Sequence, residues 1–230
     1  MNESSGLFAA AEVGNAVDKE VYAQEIEGLR VELLNQQYDL RGREFSVVLL
    51  IAGDDRPGAV DLLRTLHEWM DARYLQNHVA FSIDHTEDDE RPVLGRYWRR
   101  LPPAGQIGLF LGGWPTSTLR TALEEDQDRI TFDAALRHLF QFEKALVDDG
   151  TLVLKFWLHL PRGVLIERIE AARKDPETYW DFAQHDWEVF EHDGRAFDLI
   201  EQMVLRTNSV EAPWHIIEST DARYRNLSVG

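Results

Sequence analysis

The sequence predicts an α/β protein, folded as a three-layer α/β/α sandwich around a mostly parallel sheet. Three observations support this fold class. Apolar runs of strand length recur along the 230 residues, segments with helical periodicity separate most of these runs, and hydrophobic residues make up 44% of the chain. Strands that alternate with helices are typical of a parallel sheet covered on both faces, and this hydrophobic fraction is ordinary for a packed core.

Five segments read as strands. The first, residues 45–52, is a continuous valine-rich run, which is typical of a strand buried on both faces of a parallel sheet. The other four candidates are residues 78–84, 106–111, 151–160 and 213–219.

Helical segments lie between most of these strands. Residues 21–40 place Ile26, Leu29, Leu33 and Leu34 at helical spacing. No terminal element is expected after the last strand. The other predicted helices are residues 58–75, 116–148 with a break at EEDQDR, 161–175 beginning at Pro161, and 198–208.

The sequence predicts that the chain divides into two parts. Residues 1–24 are expected to form an N-terminal arm, either loose or a surface extension, because residues 1–20 lack periodicity and contain Ser, Asn and Gly. Residues 25–230 form one domain without an internal repeat or a low-complexity linker. The length leaves open that this domain is the first half of a longer protein.

Net charge limits the partners of this domain. The chain has 24 Lys and Arg residues against 41 Asp and Glu residues, so its formal net charge is −17. Such a surface repels polyanions, and we therefore expect no nucleic-acid partner. No apolar run reaches the roughly 18 residues that cross a bilayer, so no membrane contact is expected. The absence of cysteine excludes disulfides and thiolate metal sites and fits a cytoplasmic protein.

The segment VVLLIAGDDRPGAV, residues 47–60, has the layout of a phosphate-binding loop. In such a loop, glycines let backbone N–H groups surround phosphate oxygens at the start of a helix, and a lysine reaches the terminal phosphates. Gly53 and Gly58 supply the glycines here, and the carboxylate of Asp55 is of the type that holds Mg²⁺.

The same segment lacks the charge that a phosphate needs. Ala59 stands where the lysine is expected, and Val60 adds a branched side chain where phosphate approaches closely. Arg56 is the only cation within the segment, and Pro57 removes one donor N–H. The alternative interpretation is an ordinary strand-to-helix turn of an α/β protein, in which glycines are common.

Three further strings are unusual: RYWRRLPPAGQIGLFLGGW, KFWLHLPRGVLIERIEA and VLRTNSVEAPWHIIESTDARYRNL. In their order and spacing they resemble the polyphosphate kinase 2 family. The resemblance runs from about residue 25 to the end of the chain. It implies a P-loop kinase-like fold and, for the family, phosphate transfer between polyphosphate and nucleoside mono- or diphosphates with Mg²⁺.

Two motifs of this family are only partly present. The family's first loop reads G-x-D-x-x-G-K-G, and Gly53, Asp55 and Gly58 match it, whereas its last two positions are replaced. The second motif reads approximately F-D/N-R-S-W-Y, and Phe110 and Trp114 match it. The replaced positions of the second motif carry Leu111, Gly112, Gly113 and Pro115.

These replacements remove two phosphate cations and one carboxylate on the metal side. Catalysis of phosphoryl transfer depends almost wholly on positioning and charge neutralisation. Losing one such cation costs on the order of a thousandfold in rate, so the resemblance implies that little activity is left. We therefore expect no intact catalytic residue, no metal site and no cofactor for this domain itself.

Four arginines lie in the part of the chain that corresponds to a lid over the phosphates in family members: Arg91, Arg96, Arg99 and Arg100. By resemblance they are candidate anion contacts. The alternative is that they lie along a helix surface and pair with the acidic string TEDDE at 86–90.

The string AQHDWEVFEHDG suggests a metal site. On a helix, His185, Glu188 and His192 could line one side and bind a metal. A solvated acidic helix face explains the string equally well, and we expect no metal there. Just upstream, Asp181 follows Trp180 where family members have a lysine, so a further cation is lost.

The resemblance therefore implies a degenerate, catalytically silent domain. Two-domain family members that form ADP from AMP and polyphosphate, the polyphosphate:AMP phosphotransferases, carry such a silent N-terminal copy beside an active C-terminal copy. The expected role is packing against the active homologous domain, or support of a homo-oligomer. Polyphosphate and AMP are then substrates of the parent protein, and Mg²⁺ is the cofactor of the family activity.

Two alternatives stay open. In the first, Arg56 or a lid arginine replaces the missing lysine, Asp54 or Asp55 holds the metal, and the domain is an active polyphosphate-dependent nucleotide kinase. In the second, the domain binds a nucleotide or polyphosphate without chemistry and acts as a sensor.

Overall fold

The computed structural model describes residues 6–79, 93–174 and 194–230. Its sheet has five strands, all parallel, in the order β2-β3-β1-β4-β5. This arrangement confirms the predicted α/β fold and its parallel sheet. The strands are β1 (Val47–Gly53), β2 (Leu75–Val79), β3 (Ile107–Leu111), β4 (Leu152–His159) and β5 (Trp214–Glu218).

Eight α-helices lie in the described residues. None of them is both long and apolar enough to cross a membrane. The helices are α1 (Lys19–Leu40), α2 (Arg56–Trp69), α3 (Val93–Trp98), α4 (Gly113–Glu124), α5 (Arg129–Asp148), α6 (Arg162–Lys174), α7 (Gly194–Thr207) and α8 (Ala222–Val229).

Alternate residues of the central strand β1 supply the two halves of the core, because successive side chains of a strand point to opposite faces. Val48 and Leu50 pack with residues of α4, α5 and α7 on one face. Ile51 packs with residues of α1 and α2 on the other face, together with Leu109 and Leu158 from the neighbouring strands. Helices therefore cover both faces of the sheet, as a buried parallel sheet requires.

Most predicted elements are found, with shifted ends. The predicted break in the long helical segment is confirmed, since α4 ends at Glu124 and α5 begins at Arg129. The strand predicted at 78–84 lies earlier, at Leu75–Val79, and residues 80–84 fall outside the described part of the chain. Helix α3 was not predicted.

Helix α8 contradicts the expectation that no element follows the last strand. Only Arg225 and Asn226 of this helix are buried, so it lacks the apolar periodicity that usually marks a helix. A polar cap starts it instead, because the side chain of Asp221 accepts a hydrogen bond from Tyr224 N at 2.7 Å.

The described part of the N-terminal arm is not loose. Phe8 and Ala11 are buried, and the residues around them form a short 3₁₀ helix. Helix α1 begins at Lys19, inside the predicted arm. The division into residues 1–24 and 25–230 itself stays a prediction.

Candidate functional site

The segment between β1 and α2 has the strand, turn and helix of a phosphate-binding loop. Gly53 has a φ of 137°, and a Cβ atom there would collide with the backbone of Leu158 on β4. Glycine is required at this position. Helix α2 begins at Arg56, with Pro57 in its first turn, where a missing N–H leaves no helical hydrogen bond unmade.

Asp55 caps helix α2 with its own side chain. Its Oδ1 atom accepts a hydrogen bond from Gly58 N at 3.0 Å, and the Asp55 side chain is completely buried. Negative charge is favourable at a helix N-terminus, which is why this position binds the ligand in a phosphate-binding loop. In this chain the carboxylate of Asp55 takes that place.

Two arginines surround the second oxygen of the same carboxylate. Asp55 Oδ2 lies 3.0 Å from Arg168 Nη1 on α6 and 3.5 Å from Arg225 Nη1 on α8. Ser219, directly after β5, donates its hydroxyl to this oxygen. Arg225 is buried and also binds Asp61. The buried carboxylate is thus neutralised by side chains of this chain.

Gly58 leaves room for this internal group. A Cβ atom on Gly58 would collide with the carboxylate of Asp55 and would lie 2.6 Å from Arg225 Nη1. The second glycine of the loop is therefore required by contacts within the chain. The space beside Gly58 is occupied by the Asp55 carboxylate and the Arg225 guanidinium.

Asp54 makes a second polar contact at the same edge of the sheet. Its Oδ2 atom lies 2.9 Å from Nδ1 of His159, the last residue of β4, and Nε2 of His159 lies 2.8 Å from Oε1 of Glu12. A carboxylate at each ring nitrogen favours the doubly protonated imidazole. Burial lowers the pKa of His159, but the hydrogen bonds and charges of Asp54 and Glu12 outweigh burial, so that this pKa is raised.

These contacts do not fit a magnesium ion. Mg²⁺ needs carboxylate oxygens and several waters in octahedral geometry. Asp55 is bound by two arginines, and Asp54 is bound by the His159 imidazolium. Oδ1 of Asp54 has no hydrogen-bond partner among the described residues, and one such oxygen beside a cation does not make a magnesium site.

The second partial motif has become part of the core. Phe110 on β3 and Trp114 on α4 are completely buried. Gly112 and Gly113 turn the chain with φ values of 74° and 56°. A Cβ atom on Gly113 would lie 2.5 Å from Leu50 Cδ1, so the glycines let α4 start close to β1. The other replaced positions of this motif, Leu111 and Pro115, are buried as well.

Trp114 anchors a buried polar network. Its ring packs edge-on against Phe142 with the ring centroids 5.1 Å apart, and its Nε1 donates to Glu143 Oε1 at 2.9 Å. The other oxygen of Glu143 binds Lys155 Nζ at 2.6 Å, and Lys155 also donates to the carbonyl oxygen of Thr207. Burial raises the pKa of Glu143 and lowers the pKa of Lys155, and their mutual attraction opposes both shifts. This network lies inside the core and supports the motif's tryptophan.

The lid arginines are only partly described. Arg96 lies on α3, and Arg99 and Arg100 follow its end. The Nε atom of Arg96 is buried without a hydrogen-bond partner among the described residues, whereas Arg99 and Arg100 are exposed. Arg91 and the acidic string at 86–90 lie outside the described residues, so the expected pairing between them stays a prediction.

The predicted metal string also lies outside the described residues, with His185, Glu188 and His192. The same holds for Trp180 and Asp181. Within the ranges that the structure describes, no three histidine or carboxylate side chains gather as a candidate metal site.

Sequence reasoning missed the residues that fill the loop. Ser219 and Arg225 reach Asp55 from 164 and 170 positions away along the chain, and Arg168 comes from a third element. Local patterns carry no signal for such contacts. The one available signal was that all three residues lie within the unusual strings that resemble a known family.

Comparison with known proteins agrees with that resemblance. The family model described as Polyphosphate kinase 2 (PPK2) matches residues 16–230. A polyphosphate:AMP phosphotransferase from Pseudomonas aeruginosa is 37% identical over 225 residues, which are 97% of this chain and 45% of that protein. The chain spans less than half the length of this curated relative and of a second one from Pseudomonas syringae, of which it covers 45%.

Solved structures show the same fold. A crystal structure of a Pseudomonas aeruginosa PA01 protein, assigned as a candidate polyphosphate kinase 2, aligns with a TM-score of 0.81 at 34% identity. The alignment covers 96% of this chain and 45% of that one. The crystal structure of Polyphosphate Kinase 2 from Arthrobacter aurescens TC1 aligns with a TM-score of 0.85 at 20% identity, over 99% of this chain and 83% of that one. The family model accounts for nearly the whole chain, and the chain therefore belongs to the polyphosphate kinase 2 family.

Proposed function

We propose that this chain is a catalytically silent polyphosphate kinase 2 domain with a structural or interaction role in a polyphosphate:AMP phosphotransferase. The family membership and the names of the first two relatives support the parent activity, in which AMP and polyphosphate give ADP. The match to less than half of those relatives supports a role as one part of a larger protein.

The missing loop cation carries this proposal, because Ala59 stands at the lysine position of the family motif and is buried. Family members have the same aspartate as Asp55, so this carboxylate by itself does not set the chain apart. In this chain the carboxylate is paired with Arg168 and Arg225. Because phosphoryl transfer depends on cations around the phosphates, the missing lysine opposes both binding and turnover.

The active-kinase alternative would have to break these contacts. It needs Asp54 or Asp55 to hold a metal, and both carboxylates bind cationic side chains of the chain itself. It also needs a substitute cation, and Arg56 lies half-buried at the first position of α2.

An activity assay tests the silent domain directly. The purified chain is incubated with Mg²⁺, polyphosphate and either AMP or ADP, and the P. aeruginosa relative serves as the positive control. We expect no nucleotide product above the background of the protein-free reaction. A turnover of about one per second, near the low end for kinases, would contradict the proposal.

An Arg56→Ala variant then separates the two schemes. If the wild-type chain turns over and Arg56→Ala does not, Arg56 is the substitute cation and the domain is an enzyme. If both proteins turn over equally, Arg56 is not the substitute cation.

Calorimetry separates a sensor from a structural domain. We expect no saturable heat on titration with AMP, ADP or ATP at millimolar concentration. A saturable isotherm for any of them, in a protein that has no turnover, would favour the sensor alternative.

The interaction role is tested by sedimentation. We expect the chain to self-associate, or to form a complex with the part of the P. aeruginosa relative that lies beyond the matched region. In such a complex Mg²⁺ is the cofactor of the active copy. If the chain stays monomeric both alone and in the mixture, the proposed interaction role is wrong.

A further inference from the structure

Residues 7–17, which we call the strap, pack across the carboxyl ends of β4 and β5. Phe8 stacks on the imidazole of His159, with ring centroids 4.6 Å apart and an interplanar angle of 18°. Four positions later, Glu12 Oε1 lies 2.8 Å from Nε2 of the same ring. One histidine at the end of β4 therefore holds the strap by an aromatic contact and by an ion pair.

Two carboxylates hold the second half of the strap by its backbone. The N–H groups of Gly14 and Asn15 each donate to the carboxylate of Glu218 at 3.0 Å, and the side chain of Asn15 also donates to it. Val17 N donates to Asp221 Oδ1 at 3.4 Å. Hydrogen bonds of this kind, with a charged acceptor, are stronger than neutral ones.

The strap lies at the ends of β4 and β5, on the edge at which open parallel sheets bind their ligands, beyond the carboxyl ends of the strands. It is also connected to the phosphate-type loop, because His159 binds Glu12 on one side and Asp54 on the other. A ligand that approaches the loop across this edge would have to displace the strap.

The strap has the features of a segment that opens on its own. Phe8 and Ala11 are its only buried residues, and Val13 is 67% exposed. Its contacts to Glu218 and Asp221 are part-buried hydrogen bonds, made by three backbone N–H groups and the side chain of Asn15. Segments with few buried apolar contacts open with a smaller free energy than the core does.

We propose that the strap is a closing element that opens as a unit while the sheet stays folded, and that it controls access to the carboxyl edge. This inference goes beyond the proposed silent role and does not depend on it, because closure of the edge can be measured without any turnover assay.

Hydrogen exchange on the full chain tests the proposal. In the wild type we expect the amides of Gly14, Asn15 and Val17 to be protected from exchange. Their exchange rates should depend less on urea concentration than the exchange rates of the β4 amides, because opening of the strap exposes less surface. Glu12→Ala should lower this protection roughly tenfold, the factor for one lost hydrogen bond to a charged group. Phe8→Ala should lower it at least as much, because it removes a buried ring and its stacking contact. Val13→Ala is the matched control within the strap and should leave it unchanged.

Three outcomes would overturn the proposal. The first is exchange of the Gly14 and Asn15 amides at the free-peptide rate in the wild type, which would mean that the strap is not docked. The second is the same urea dependence for these amides as for β4, which would mean that the strap opens only by global unfolding. The third is unchanged protection of the Gly14 amide in both Phe8→Ala and Glu12→Ala. Protection of the β4 amides in each variant shows that the fold is intact.

Discussion

The two partial motifs of this domain pack in different ways. The first loop holds a charged group, because Asp55 lies at the N-terminus of α2, between Arg168 and Arg225. The second motif is held by apolar packing around Phe110 and Trp114. A helix N-terminus with arginines beside it favours a negative partner, whereas a turn of glycines can pack directly against the core.

The largest expected effect comes from the ion pair that supports the second motif. Lys155→Met should lower the free energy of unfolding by about 3–5 kcal/mol, because it leaves Glu143 buried without its cation. Urea unfolding measures this loss. The double variant Lys155→Met/Glu143→Gln keeps an acceptor for the Trp114 indole and should regain most of the loss. If the free energy lost in the double variant equals the sum of the losses in Lys155→Met and Glu143→Gln, then Lys155 and Glu143 are not energetically coupled.

Next in size is the internal carboxylate of the first loop. Asp55→Ala should cost about 2–4 kcal/mol, since it removes a helix cap and leaves the buried Arg225 with one carboxylate fewer. Asp61→Ala is the matched control, because Asp61 binds the same arginine from a half-exposed position. We expect it to cost under about 1 kcal/mol. Equal losses of unfolding free energy in Asp55→Ala and Asp61→Ala would show that burial of Asp55 does not determine how much it stabilises the protein.

The Asp55→Ala variant also tests whether the first loop can hold a phosphate once its carboxylate is removed. In Asp55→Ala, Arg168, Arg225 and the N-terminus of α2 should bind inorganic phosphate, while the wild type should not. At a phosphate concentration of ten times Kd, the variant should gain about 1.4 kcal/mol of stability. Thermal unfolding with and without phosphate measures this difference. An equal gain in stability with phosphate in the wild type and in Asp55→Ala would mean that phosphate binds outside the first loop.

A pair of glycine substitutions compares the two motifs more finely. Gly58→Ala and Gly113→Ala should each cost about 1–3 kcal/mol, because each added methyl group meets packed atoms. In the Asp55→Ala background the cost of Gly58→Ala should fall, since the carboxylate that it meets is gone. The cost of Gly113→Ala should stay the same there. Urea unfolding of Gly58→Ala and Gly113→Ala, each alone and in the Asp55→Ala background, measures these costs. An unchanged cost for Gly58→Ala would mean that the Asp55 carboxylate does not occupy the space beside Gly58.

The smallest expected effect is the pH dependence of His159. Its pKa is raised in the folded protein, so its contribution to stability is complete below the ordinary histidine pKa of about 6.5. The contribution is lost as the pH rises through the folded-state pKa. Wild-type stability should therefore fall between neutral and alkaline pH, and His159→Asn should not show this fall. A parallel pH profile for both proteins would exclude His159 as the cause.

The sequence predicted those parts of the fold that carry a periodic apolar signal. The strands β1, β3, β4 and β5 were found from apolar runs, because a buried parallel strand is apolar on both faces. Helix α8 was missed because Arg225 and Asn226 are the residues that it buries. The docking of the N-terminal arm, residues 1–24, was not predicted, because the packing of Phe8 on His159 leaves no local pattern.

The sequence predicted the strand, turn and helix around the loop but not the contacts of its side chains. The glycine and aspartate spacing placed the turn between β1 and α2, where the structure has it. That Asp55 would be neutralised from within depends on Arg168, Ser219 and Arg225, which come from distant parts of the chain. Tertiary contacts of this range are set by the fold, and no local spacing shows them.

The hydrogen bond between Gly14 and Glu218 joins residues 204 positions apart. On a ribosome that adds roughly 5–20 residues per second, Gly14 is therefore made about 10–40 s before Glu218 exists. During that interval the amides of Gly14 and Asn15 lack the carboxylate that binds them in the folded chain. This half of the strap can dock only after the end of β5 has been made, whereas Phe8 and Glu12 need only His159 on β4.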